Sequence, residues 1–125
     1  YNLLIFPEGT RSPNGELQAF KPTTGYLSQS YGVDILPLYL HGTYDALPKG
    51  AWWPKLEHLE VRIGPVLELS AMKEKTKGLA KSEGYRAITR LAEESVRALK
   101  DGHPVRADEI PLSPGERARV RGALK

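Results

Sequence analysis

An α/β fold is predicted for this chain: an incomplete layered domain with a small mixed or parallel sheet covered by helices, followed by a basic C-terminal helical tail. Three observations predict it. A short apolar run, Leu3 to Phe6, leads straight into a turn-rich loop, two more strand-like runs follow a helical stretch, and a long segment after them repeats its apolar residues at helical spacing.

Tyr1 to Phe6 reads as the middle of a buried strand with no polar lead-in, and with Tyr rather than Met at position 1 the native start is expected upstream. Pro7 to Gly15 is then a loop, with Ser12-Pro13-Asn14-Gly15 as its turn. A helix is expected over Phe20 to Tyr31. Pro22 is tolerated in its first turn, Leu27 and Tyr31 share a face, and Gly32 ends it. The first connection is expected to make a right-handed parallel crossover.

Asp34 to His41 is a nearly continuous apolar run that suits a strand covered on both faces, with an irregularity at Pro37. Leu59, Val61 and Ile63 alternate with Glu60 and Arg62, which predicts a strand burying its aliphatic face and ending at Gly64-Pro65. From about Ser82, a candidate N-cap, Tyr85, Ile88, Leu91, Ala92, Ser95 and Leu99 fall on one helical face as far as Gly102. Residues 1–102 form the domain on this reading, and 103–125 a proline-containing basic tail or linker in which Ser113-Pro114-Gly115-Glu116 has the pattern of a capping box. An aggregation-prone sheet edge is expected where the first strand lacks a neighbour.

Charge narrows the functional classes. Tyr1 to Leu112 carries 14 Lys/Arg against 14 Asp/Glu, so the whole excess of +3 sits in the tail, where Arg117, Arg119, Arg121 and Lys125 oppose Glu116 alone. Aromatic residues are not interleaved with those cations, which argues against a nucleic-acid partner; the tail reads as a solvated helix or linker, or as a contact with anionic headgroups or another domain of the parent chain. With no cysteine in the sequence, disulfides, thiolate nucleophiles and thiolate-held metals are excluded, and a reducing, cytoplasmic compartment is the default. No apolar run approaches the roughly 20 residues a membrane span needs.

The chemistry concentrates in Phe6-Pro7-Glu8-Gly9-Thr10-Arg11-Ser12. Arg11 can fork two hydrogen bonds to a phosphate, Gly9 lets backbone approach an anion, Thr10 and Ser12 add donors, and Lys21 adds charge just past the loop. A surface ion pair between Arg11 and Glu8 is the structural alternative. Glu8 would be repelled by a phosphate, so it holds a substrate hydroxyl, fixes a backbone amide or orients Arg11. No metal site is expected.

This block closely resembles the F-P-E-G-T-R-S block of the glycerolipid acyltransferases, which include the acylglycerol-phosphate acyltransferases. The resemblance continues through Gly15-Glu16-Leu17, Phe20-Lys21 and the Ile35-Leu36-Pro37-Leu38-Tyr39-Leu40-His41-Gly42-Thr43-Tyr44 run, and less specifically to Val61-Arg62-Ile63-Gly64-Pro65, covering about the first 66 residues. It implies that Glu8, Gly9, Thr10, Arg11, Ser12 and Lys21 bind a glycerol phosphate acceptor and that Pro37 and Leu38 line the acyl side. It further implies acyl transfer from acyl-CoA or acyl carrier protein, a co-substrate rather than a cofactor, to a lysophospholipid hydroxyl, in a protein peripheral to the inner face of the membrane. The family's base is a histidine in an H-x-x-x-x-D block upstream of F-P-E-G, so the resemblance implies no catalytic residue in this chain and makes the upstream part of its own parent a partner. A non-catalytic phosphate or lipid-headgroup binding module is the rival reading.

His103 to Asp108 matches H-x-x-x-x-D as a string, but it lies after the loop, beyond a helix stop. His41 and Asp45 are one residue too close for that spacing, and His58 opens a strand. Trp52-Trp53-Pro54-Lys55 is read either as a membrane-interface anchor or as one core and one half-exposed tryptophan.

Overall fold

A computed structural model describes residues 2–9, 16–41 and 59–123. In chain order these hold α1 (Thr23–Tyr31), β1 (Leu38–His41), β2 (Glu60–Ile63), α2 (Leu69–Lys75), α3 (Lys81–Lys100), a 3₁₀ turn (Ala107–Glu109) and α4 (Pro114–Ala123).

The 20-residue α3 is the spine, as its apolar spacing predicts. Ile88, Leu91, Ala92, Ser95 and Leu99 are all buried on one face, joined by Ala87 and Val96. This helix packs on α1, β1 and β2. Its start differs from the sequence reading: Ala80 is the N-cap and Ser82 lies inside the first turn, with no side-chain cap bond. The core joins α3 to α2 and the 3₁₀ turn through Leu67, Leu69, Met72, Ile88, Leu91, Ala92, Ala107 and Ile110.

The helix α1 starts at Thr23 rather than Phe20, with Pro22 in the cap position at φ −59°. Its buried face is Thr24, Gly25 and Ser28, whereas Tyr31 is exposed. Small residues win that face because the α3 backbone comes so close: a Cβ on Gly25 would lie 1.9 Å from the Tyr85 carbonyl oxygen. Gly32 ends the helix in the left-handed conformation (φ 64°), where glycine carries no Cβ penalty.

Three sequence expectations about the sheet are corrected. Leu3 to Phe6 joins no ladder among the described residues, and Leu3, Leu4 and Phe6 are exposed. Among the described residues no parallel crossover starts there, and the described sheet is a two-stranded antiparallel pair in which Leu38 faces Ile63 and Leu40 faces Val61. An isolated bridge, Ile35 with Leu67, continues the pairing past Pro37. Between bridge and ladder, Leu36 and Pro37 oppose Gly64, Pro65 and Val66, a bulge that absorbs the missing Pro37 N–H.

The third correction concerns which face is covered. Val61 and Ile63 are 56% and 65% exposed and Leu36 and Leu40 are also exposed, so the run 34–41 is not covered on both faces. The alternate residue Arg62 turns toward α3 instead. It donates from its guanidinium to the Leu99 and Lys100 carbonyls, both at 2.9 Å, and to Glu60 at 2.7 Å. A cation at the electronegative helix C-terminus satisfies carbonyls that have no intrahelical partner. The Glu60 hydrogen bond raises the Arg62 pKa further above its usual value, against the opposing effect of desolvation.

The capping box at the start of α4 forms reciprocally: the Ser113 amide donates to the Glu116 carboxylate at 2.8 Å, and the Glu116 amide donates to the Ser113 hydroxyl at 3.2 Å. Arg90 of α3 holds the same carboxylate at 2.8 Å and also donates to the Pro111 carbonyl. Burial pushes the Glu116 carboxyl up, but the Ser113 and Arg90 hydrogen bonds together outweigh it and hold the group below the ordinary 4.5. A depressed folded value stabilises the chain above the unfolded pKa, and that stabilisation is lost as pH falls through the folded one. Thermal melts should therefore lose Tm below about pH 4.5, with a shallower acid slope in Glu116→Gln. Equal slopes would show that this carboxylate does not anchor the tail.

Candidate functional site

Phe6-Pro7-Glu8-Gly9 is a tight turn closed by the Gly9 amide donating to the Phe6 carbonyl at 3.1 Å. Pro7 supplies its fixed φ at the second position, and Gly9 takes φ 75°, a conformation that disfavours any side chain. Beyond this turn the chain is tied back on itself twice. The Gln18 amide donates to Glu8 Oε2 at 2.8 Å, and the Lys21 amide donates to the Pro7 carbonyl at 2.8 Å. Fixing a backbone amide, one of Glu8's three alternatives, is thus seen among the described residues.

Lys21 lies over the turn. A Cβ on Gly9 would come within 3.3 Å of Lys21 Cε, so the lysine stem covers the glycine backbone. Glu8, Gly9 and Lys21 are therefore brought together, as candidate acceptor-binding residues must be. Thr10, Arg11 and Ser12 lie outside the described residues, as do Asp45, Trp52, Trp53 and His58.

The segment on either side of Lys21 is clamped by α3. The Phe20 amide donates to Glu93 Oε1 at 2.7 Å, and Glu93 Oε2 accepts from Arg97 Nε at 3.3 Å. Thr89 Oγ1 accepts from the Gly25 amide at 2.9 Å and lies 2.8 Å from the Tyr85 carbonyl. An open groove along this clamp is lined by Phe20, Pro22, Arg86, Thr89, Arg90 and Glu93.

Pro37 and Leu38 sit farther along the same spine. Pro37 is buried, accepts from the Gly64 amide at 3.0 Å, and shares Gly64 with Leu99: a Cβ there would meet both side chains at 3.1 Å. Leu38 is half-buried in β1. The α3 contacts to the Phe20–Gly25 strip at Thr89 and Glu93 precede the contact beside Pro37 at Leu99 by six to ten residues, about 9–15 Å along a helix axis.

His103 and Asp108 are engaged separately. The His103 amide donates to the Ala98 carbonyl at 2.9 Å as part of the α3 C-terminus, while Asp108 is exposed 3.8 Å from Arg106 Nε. His41 ends β1, exposed, with its ring 6.3 Å from that of Tyr39. Among the described residues no three His, Asp or Glu side chains converge as metal ligands, and no helix is long and apolar enough to cross a membrane.

The chain is 34% identical over 89 residues, 71% of its length, to a 1-acyl-sn-glycerol-3-phosphate acyltransferase of Pseudomonas aeruginosa. It belongs to the glycerolipid acyltransferases. A chloroplastic 1-acyl-sn-glycerol-3-phosphate acyltransferase of Brassica napus is 37% identical over 62 residues, half of this chain, and one of Limnanthes alba is 41% identical over 51 residues, 41% of it. The chain spans 30% of the Pseudomonas acyltransferase's length and 18% of each plant acyltransferase. No family model and no solved structure matches it.

Sequence reasoning missed two residues that hold this segment. Glu93 and Thr89 fall on the polar flank of an amphipathic helix, where nothing local marks a carboxylate or hydroxyl as the partner of a backbone amide 64 or 73 residues away.

Proposed function

We propose that this chain supplies the acceptor side of acyl transfer from a thioester, acyl-CoA or acyl carrier protein, to the hydroxyl of a lysophosphatidate-like acceptor. Arg11, with Thr10 and Ser12, binds the phosphate, and Lys21 adds charge from across the Gly9 turn. Glu8 keeps the loop in shape through the Gln18 amide rather than meeting the anion. Pro37 and Leu38 belong to the acyl side. The observation that carries the reading is the double closure of the loop, Glu8 onto Gln18 and Lys21 onto Pro7, which holds a lysine beside a glycine turn within a block of acyltransferase sequence.

The proton acceptor comes from an H-x-x-x-x-D block in the upstream part of the parent chain. There an imidazole takes the acceptor hydroxyl's proton, the oxygen attacks the thioester carbonyl, and the thiol leaves carrying that proton. A lipid acceptor calls for this chemistry to run at a membrane surface.

Acyl transfer from acyl-CoA to lysophosphatidate, assayed with the 125 residues alone, tests this division of labour. The expected rate equals the protein-free control. Turnover above it would place a base within this chain, with His103 the first candidate, and contradict the reading.

A further inference from the structure

We infer that Glu93 is a positioning residue for the acceptor loop, setting Lys21 against the Gly9 turn from α3; this rests on the acceptor-binding reading above. The observation is a carboxylate with its two oxygens divided between two tasks. Oε1 accepts from the Phe20 amide at 2.7 Å, and Oε2 accepts from Arg97 Nε one helical turn on, at 3.3 Å. Phe20 immediately precedes Lys21, and the Lys21 amide is itself bonded to the Pro7 carbonyl. The path from α3 to the loop is thus Arg97, Glu93, Phe20, Lys21 and Pro7, each step a named hydrogen bond or one peptide unit.

Glu93 supplies something that helix propensity does not. Residues 17–21 belong to no helix or strand, so the Phe20 amide has no ladder partner and would otherwise need water. A charged acceptor makes the stronger kind of hydrogen bond, and Arg97 holds the carboxylate in one orientation. Thr89 secures the next anchor at Gly25, so the strip 20–25 is pinned at both ends to one rigid element. Lys21 lies between these pins, with its stem over Gly9.

Amide hydrogen exchange and titration with sn-glycerol 3-phosphate, both on the 125-residue chain, test the inference. In Glu93→Ala, exchange at Lys21 should accelerate about tenfold while Leu91 in the α3 core keeps its protection, and affinity for sn-glycerol 3-phosphate should fall about tenfold. Glu93→Gln keeps an acceptor for Phe20 and should stay within about twofold of the unsubstituted chain. Unchanged Lys21 exchange in Glu93→Ala, equal acceleration at Leu91, or loss of the folded state altogether would each make Glu93 a plain stability residue and overturn the inference. An unsubstituted chain that does not bind sn-glycerol 3-phosphate would retire the acceptor reading instead, and Lys21 exchange would still decide whether Glu93 positions the loop.

Discussion

Gly25→Ala should destabilise the chain by on the order of 3 kcal/mol, at the upper end of what overpacking a close contact costs. The added Cβ would lie 1.9 Å from the Tyr85 carbonyl oxygen and 2.8 Å from its Cα. Both are backbone atoms of α3, so no side-chain rotation relieves the clash and α1 must move away. That movement breaks the Gly25 amide bond to Thr89 and uncovers Thr24 and Ser28, which are buried in the same interface. It also disturbs the edge-on contact of Tyr26 with Tyr85, whose ring centres lie 5.4 Å apart. Urea unfolding should show a lower midpoint with unchanged slope. Gly115→Ala, in a helical first turn with nothing within 4 Å of its added Cβ, is the matched control and should leave the midpoint equal or slightly raised. Equal midpoints for the two variants would mean that α1 and α3 do not pack this closely.

A second large effect should fall on ligand affinity and leave folding alone. Arg11→Ala is expected to weaken binding of sn-glycerol 3-phosphate by about ten- to a hundredfold, the effect of losing a charged, two-pronged hydrogen-bond donor. Arg11→Lys should recover only part of that loss, because an ammonium keeps the charge but not the fork. Unfolding midpoints should not change in either variant. Affinity retained in Arg11→Ala would remove the phosphate from this loop and leave Arg11 as a surface ion-pair residue.

How far these features were legible depends on the range of the interaction behind them. The α3 periodicity, the Gly32 stop and the Ser113–Glu116 capping box are set within a few residues of sequence, and each forms as its pattern predicts. No local pattern marks the helix α2. It has seven residues, only Leu69 and Met72 of them buried, and its first amide is satisfied by Asp34 from 35 residues away at 2.8 Å. Local alternation picks the wrong β2 face for a similar reason. Alternation places Val61 and Ile63 together, but the α3 carbonyls draw Arg62 inward and so choose which side faces the helix.

The α1 face misled in another way. Aliphatic and aromatic residues at four-residue spacing suggested Leu27 and Tyr31, while close approach of two backbones selected Thr24, Gly25 and Ser28. At the site, residue chemistry named the loop and Lys21, and Glu8's amide role was one of three open alternatives. The clamp through Glu93 and Thr89 joins residues too far apart in sequence for any local pattern to carry it.

Phosphate recognition by the loop between Phe6 and Lys21 is the central claim. Amide chemical shifts of the 125-residue chain, followed during titration with sn-glycerol 3-phosphate and in parallel with glycerol, decide it. Saturable changes centred on Gly9, Arg11 and Lys21 with the phosphate ester, and none with glycerol, are the predicted result. Indistinguishable responses to the two compounds, or changes confined to residues outside this loop, would contradict the account.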